Sequence, residues 1–240
     1  MARNPELTNK VSQIDNHDIE IDNVPDFDIA DYDLDNTKEY KKYITRVERI
    51  CRSSFEYKRF MNFLRDNAGF DRCSIMENVS NAEDRGIKIH IHHHPLTLFD
   101  IVSTIVNKNI ATGASTDENM VAKEVMYNHY ILHVGLIPLS ETVHELVHNQ
   151  YLFIPNDKVL GYWKLFIEEY KKYIPLETLS NIEKSELATK NYDYKESTKV
   201  LDTGFTYVKV NDNSYKASEK ELFEKLKTTL DELKSKDDNK

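Results

Sequence analysis

Two short stretches decide how this chain folds: residues 87–95 read IKIHIHHHP, and residues 136–148 read LIPLSETVHELVH. In the first stretch isoleucine alternates with polar residues, which predicts a strand, and Pro95 ends it. In the second, residues 136–139 predict a short extended segment, and Ser140 is placed to cap a helix that runs through His148. The two stretches therefore predict two extended segments and one short helix.

Histidine is concentrated in this part of the chain, since eight of the nine histidines lie between positions 90 and 148. His144 and His148 are spaced i, i+4 and can share one helix face, where both rings can chelate a single ion. Adjacent side chains of a strand point in opposite directions, so neighbouring histidines at its end can serve different purposes. Either group alone is compatible with an ordinary surface, but together they favour a metal site. The remaining histidines are predicted to be surface or packing residues: His17, His90, His129 and His133.

Helical periodicity dominates the rest of the chain. Helices are predicted over residues 38–66, 97–108, 118–133, 158–173, 176–188 and 218–235, with one more strand candidate at 205–210. The predicted fold class is therefore α+β and predominantly helical. Three regions are expected: a disordered acidic tail (1–37), a helical domain (38–190) and a polar linker, short strand and amphipathic helix (191–240).

Composition excludes several classes of protein. The chain has 240 residues and a net charge of −9, and no apolar run long enough to cross a membrane. It begins without the apolar core of a secretory signal, and it lacks the glycine-rich motifs that hold nucleotide phosphates. Residues 1–37 carry ten acidic and two basic residues, whereas residues 38–72 carry ten basic and five acidic ones. Cys51 and Cys73 are too few for a disulfide scaffold or a structural zinc site.

The histidine-rich segment, about residues 87–154, resembles the HNH, or His-Me finger, nuclease family of the phage type. The resemblance rests on the HHHP element and on the helix with His-x-x-x-His, and it implies a ββα-metal motif with inserted helices. It implies one divalent ion (Mg²⁺, Mn²⁺, Ni²⁺ or Zn²⁺) held by His92, His144 and His148, and a water-activating base at His93. Because Pro95 follows at an unusual spacing, His92 remains an alternative base. The implied activity is hydrolysis of nucleic acid, with DNA expected, by a phage protein acting in the host cytoplasm.

The sequence departs from that family at two points. Gly135 stands where the central Asn of the motif would brace the hairpin loop, and 51 residues separate His93 from His144. The glycine motivates one alternative, a catalytically degenerate metal-binding module with a structural or interaction role. In that case the helix at 218–235 either binds a protein partner or packs on its own domain.

A zinc metalloprotease is the second alternative. Residues 144–148 form a literal H-E-x-x-H, in which Glu145 would be the base and Glu168 or Glu169 the third metal ligand. The short helix that Ser140 starts is less typical of such proteases. The sequence therefore favours the nuclease interpretation and leaves both alternatives open.

Overall fold

The computed structural model describes residues 32–76, 79–81, 86–190 and 221–228. Its elements are α1 (Thr37–Ser53), α2 (Phe55–Ala68), β1 (Ile89–His93), α3 (Leu98–Thr112), α4 (Glu118–Tyr130), β2 (Leu136–Ser140), α5 (Glu141–His148), a 3₁₀ turn (Asn156–Lys158), α6 (Trp163–Tyr170), α7 (Leu176–Lys190) and the helical residues 221–228, called α8. The predicted α+β, predominantly helical class is confirmed. Most of the predicted acidic tail and the strand candidate at 205–210 lie outside the described residues.

Local signals in the sequence set the helix ends. The region predicted as one helical stretch, 38–66, is two helices, because the Ser54 side chain accepts a hydrogen bond from the Tyr57 backbone N–H and starts α2. Gly69 ends α2 in the left-handed conformation that glycine adopts most easily. At the start of α3, Thr97 and Asp100 form a capping box.

The hydrophobic core lies among the helices. Helix α4 packs against α1 and α3, and α3 also contacts α6. The largest fully buried core side chains include Phe60, Leu64, Ile101, Ile105 and Leu132. Leu222 and Leu226 of α8 are buried in the same core, so α8 packs on its own domain through its apolar face.

Strands β1 and β2 pair antiparallel and lie beside this core. Ile89 is opposite Ser140 and His93 is opposite Leu136. Helices α3 and α4 fall between the two strands in sequence, whereas α5 begins directly after β2. All five residues of β2 are buried. This order places the histidines of β1 next to those of α5.

Candidate metal centre

The pleat of β1 divides its histidines between two faces. His90 and His92 share the face that looks toward α5, because residues two apart in a strand point the same way. His93 points to the opposite face and is only 2% exposed. Ser140 caps α5 as predicted, with its side chain accepting a hydrogen bond from the Val143 N–H.

Three rings meet between β1 and α5, and we call His92, His144 and His148 the three-histidine cluster. Each offers one ring nitrogen, and these nitrogens all lie within 4.8 Å of one another. The Nε2 atoms of His144 and His148 are 3.0 Å apart. The ring of His92 stands edge-on to both, with its centroid 5.2 Å from each of theirs. His92 and His144 are buried.

Two more histidines flank the three-histidine cluster. The His90 ring stacks on that of His144, with centroids 5.1 Å apart, and the His94 ring lies 6.5 Å from that of His92. The cluster therefore sits in a layer of imidazoles that spans β1 and α5.

Burial and mutual repulsion disfavour the charged forms of His92 and His144. Burial lowers the pKa of His92 well below its usual range, and positive charge on His144, His94 or His148 would lower it further. Burial also lowers the pKa of His144 to about 3, with His148, His90 and Arg52 adding to the effect. Neutral imidazole is the form that ligates a metal ion.

A separate histidine pair, His93 and His129, lies on the core side of β1. Their Nε2 atoms are 3.0 Å apart, and the His129 Nδ1 lies 2.8 Å from the Val125 carbonyl oxygen. Because Nδ1–H of His129 donates to that carbonyl, its Nε2 is the acceptor, and Nε2–H of His93 is the donor. The rings of Tyr57 and Phe60 contact His129 edge-on. The histidine pair is thus hydrogen-bonded internally.

The structure brings together the predicted ligands His92, His144 and His148, but it does not bring the predicted base His93 to them. The His93 ring faces the core and bonds to His129. The third ligand of the protease alternative does not join His144 and His148: the carboxylate of Glu169 lies 3.6 Å from Nδ1 of His133, and among the described residues the cluster contains no carboxylate. The sequence analysis missed His90 and His94 as neighbours of the cluster, although strand alternation places His90 on the same face of β1 as His92.

Gly135 is fixed by the backbone around it. Its carbonyl accepts a hydrogen bond from the His94 N–H at 3.0 Å, which continues the strand pairing past His93. A Cβ at this position would lie 1.9 Å from the His94 carbonyl oxygen. No side chain fits there without moving the backbone, so an asparagine in the bracing role of the HNH motif is sterically excluded in this arrangement.

A family model described as Bacteriophage G278-like virion protein matches residues 4–238. Since the match covers nearly the whole chain, the chain belongs to that family. No curated protein and no solved structure matches it significantly. In the part of the chain that the structure describes, no helix is long and apolar enough to cross a membrane.

Family membership corrects the interpretation drawn from the histidine motif. The assignment to the HNH family was wrong, and so were the nuclease activity and the cytoplasmic site of action that came with it, because the matching family is one of virion proteins. The ββα-metal motif is not confirmed either. The misleading signal was a short local pattern covering under a third of the chain, which several unrelated proteins can share.

The expected DNA contact loses its support as well. Three aromatic residues of the basic segment 38–72, Tyr43, Tyr57 and Phe60, are buried in the protein core, where they cannot stack on bases. Among the basic residues of the segment, Arg46 pairs with Glu118 at 2.8 Å, and Lys41, Lys42 and Arg49 are exposed on α1.

Proposed function

We propose that this member of the Bacteriophage G278-like virion protein family is a structural component of the phage particle, in contact with other particle proteins and without nuclease activity. The observation that carries the proposal is the family match over residues 4–238. It extends through the histidine-rich segment, so that segment belongs to the virion protein itself.

The position of the histidines supports a structural role. In the mechanism that the resemblance implied, a base lies within hydrogen-bond reach of the attacking water, directly or through one further water. His93, the residue expected to do this, is buried on the other face of β1 with its Nε2 bonded to His129. A structural role needs only that the elements around the cluster stay in place.

Particle proteins bind one another, and the burial of its residues limits which side of α8 a protein partner can contact. Its apolar residues Leu222 and Leu226 are already buried in the domain core. Its exposed side is polar, with Glu224, Lys227 and Thr228 facing outward. We therefore propose that a partner which binds α8 contacts this polar side, and that the apolar face serves the fold of the chain itself.

The test is composition of purified particles. Phage encoding the chain is banded on a density gradient, and its proteins are identified and counted by mass spectrometry. We expect the chain at several copies per particle, co-migrating with the coat proteins. A phage replication enzyme from the same lysate serves as the control that should be lost on banding. Presence in the infected-cell lysate but absence from banded particles would overturn the proposal.

A second arm tests the absence of nuclease activity. The purified chain is incubated with plasmid and single-stranded DNA in the presence of Mg²⁺, Mn²⁺, Ni²⁺ or Zn²⁺. We expect no cleavage with any metal. Cleavage that disappears in the His144→Ala variant would contradict the structural role.

A further inference from the structure

The three-histidine cluster combines burial with incomplete hydrogen bonding. Nδ1 of His92 is buried and has no hydrogen-bond partner among the described residues. Leaving a buried polar atom without a partner is costly, and such atoms in native proteins usually have an explanation, for instance an ion or a water. The neighbouring Nε2 atoms of His144 and His148 face each other at 3.0 Å, so at most one of them can donate to the other.

We infer that His92, His144 and His148 bind one divalent transition-metal ion, of which Zn²⁺ is the best match. The inference does not depend on the proposed function, because it concerns the local chemistry of three side chains and would hold in or out of a particle. It concerns binding of the ion alone and assigns the ion no reaction.

The chemical class of the ion follows from the donors. Three neutral imidazoles with no carboxylate are suited to Zn²⁺, Co²⁺, Ni²⁺ or Cu²⁺, whereas Mg²⁺ and Mn²⁺ prefer oxygen ligands. Of the four ions that the resemblance implied, Zn²⁺ and Ni²⁺ suit these ligands, whereas Mg²⁺ and Mn²⁺ do not. With Zn–N bonds of 2.0–2.1 Å, nitrogens of a tetrahedral site lie about 3.3 Å apart. In the cluster the closest pair of nitrogens, at 3.0 Å, is near that spacing, and all three lie within 4.8 Å of one another.

The position of the site in the fold indicates what the ion does. His92 belongs to β1, and His144 and His148 belong to α5, which is separated from β1 in sequence by two helices and β2. An ion on all three ties the short helix to the strand. His90, stacked on His144, limits the rotation of one ligand ring. Helix α5 has only eight residues and depends on tertiary contacts for its stability, so a link to β1 would help to hold it.

The experiment uses the full chain without a polyhistidine tag, stripped with chelator and then dialysed. Zn²⁺ and Mg²⁺ are titrated by calorimetry, bound metal is counted by mass spectrometry, and Co²⁺ is added as a probe whose visible absorption reports tetrahedral nitrogen coordination. The variants are His144→Ala and His148→Ala. His133→Ala is the matched control, since His133 is outside the cluster and pairs with Glu169.

We expect one Zn²⁺ per chain, no comparable Mg²⁺ binding, and a tetrahedral cobalt spectrum for the parent and for His133→Ala. Each cluster variant should lose affinity by more than about tenfold, because even residues that only orient metal ligands change affinity by that factor. Circular dichroism checks that each variant folds. His148 is partly exposed, so His148→Ala keeps the test valid even where His144→Ala unfolds. No stoichiometric binding by the parent chain, or equal binding by parent and both folded variants, would overturn the inference.

Discussion

The histidine pair and the three-histidine cluster lie on opposite faces of one five-residue strand and satisfy their rings in different ways. In the pair, a chain of hydrogen bonds runs from His93 through His129 to the Val125 carbonyl, and aromatic rings surround it. In the cluster, the rings crowd together while a nitrogen of His92 has no partner among the described residues. The histidine pair satisfies its ring nitrogens by internal hydrogen bonds, whereas the three-histidine cluster presents ring nitrogens that suit metal ligation. Histidines that are adjacent in the sequence therefore lie in two different environments, because the pleat of the strand points their side chains to opposite faces.

Both histidine groups depend on the pairing of β1 with β2. Gly135→Asn should disrupt that pairing. The new Cβ would meet the His94 carbonyl oxygen at 1.9 Å, which side-chain rotation cannot relieve. We expect the free energy of unfolding to fall by about 4 kcal/mol or more, as for other severe backbone clashes. Urea unfolding followed by circular dichroism measures it.

The control for that substitution is Gly113→Asn. Gly113 has a positive φ of 68°, and a Cβ there would meet nothing within 4 Å. Asparagine tolerates the left-handed conformation, so a loss of about 1 kcal/mol or less is expected. If the two variants lose equal stability, crowding at Gly135 does not explain its role.

The histidine pair can be isolated from the cluster by its response to acid. Burial lowers the pKa of His129 to about 4, from about 6.5 in an unfolded chain. The unfolded state therefore binds more protons between these values, and stability falls as the pH drops from about 6.5 to about 4, by up to about 1.4 kcal/mol per pH unit for this group. His129→Gln removes the titrating ring and should make the dependence of stability on pH shallower by up to that amount. Urea unfolding at four pH values across this window measures the slope.

His133→Gln is the comparison variant for the acid response. Burial lowers the pKa of His133 as well, but Glu169 opposes the shift. Its slope should therefore change less than that of His129→Gln. An unchanged slope in His129→Gln would show that the histidine pair does not remain neutral in the folded protein.

The cluster can be isolated from the pair by metal. An ion that binds only the folded chain adds about 2.7 kcal/mol of stability at a free concentration 100 times its Kd. We therefore expect Zn²⁺ to raise the melting temperature of the parent chain and of His129→Gln, and a chelator to reverse the rise. His144→Ala should show no rise. A rise that is lost in His129→Gln but kept in His144→Ala would reverse the roles of the two groups.

The smallest expected effect concerns the helix that carries two of the cluster's ligands. Ser140→Ala removes the N-cap of α5, and Thr97→Ala removes the cap of α3. Each should cost about 1 kcal/mol of stability. Only Ser140→Ala should also weaken Zn²⁺ binding, by a few-fold, because α5 holds His144 and His148. Equal Zn²⁺ affinity in both variants would mean that the cap does not position the ligands.

Local signals were sufficient to predict much of the fold. Ser140, Thr97 with Asp100, and Gly69 each end or start a helix through hydrogen bonds or backbone preferences confined to a few neighbouring residues. The sharing of one ion face by His144 and His148 was predicted from their spacing, whereas the addition of His92 was implied by a resemblance to a family to which the chain does not belong. What the sequence could not show was the surroundings of each ring, because these depend on packing across β1, α4 and α5.

His93 shows where that limit lies. Strand alternation separates it from His92, but nothing in the local sequence says that His129 of a distant helix will meet it. Gly135 is the opposite case: its departure from the HNH pattern was visible in the sequence, and the physical reason, the close His94 carbonyl, needed coordinates. Function was the least accessible, since a motif of a few histidines weighs less than a match over nearly the whole chain.

The placement of α3 and α4 between the two paired strands also sets an order of events during synthesis. His92 is made about fifty residues before His144, and at roughly 5–20 residues per second several seconds pass before both exist. The strands can pair only after the segment between them closes into a loop. The entropic cost of that closure falls once the two helices have docked, because docking shortens the flexible part of the segment. We therefore expect the helical core to assemble first and the three rings to meet late, so that an ion enters a chain already largely folded.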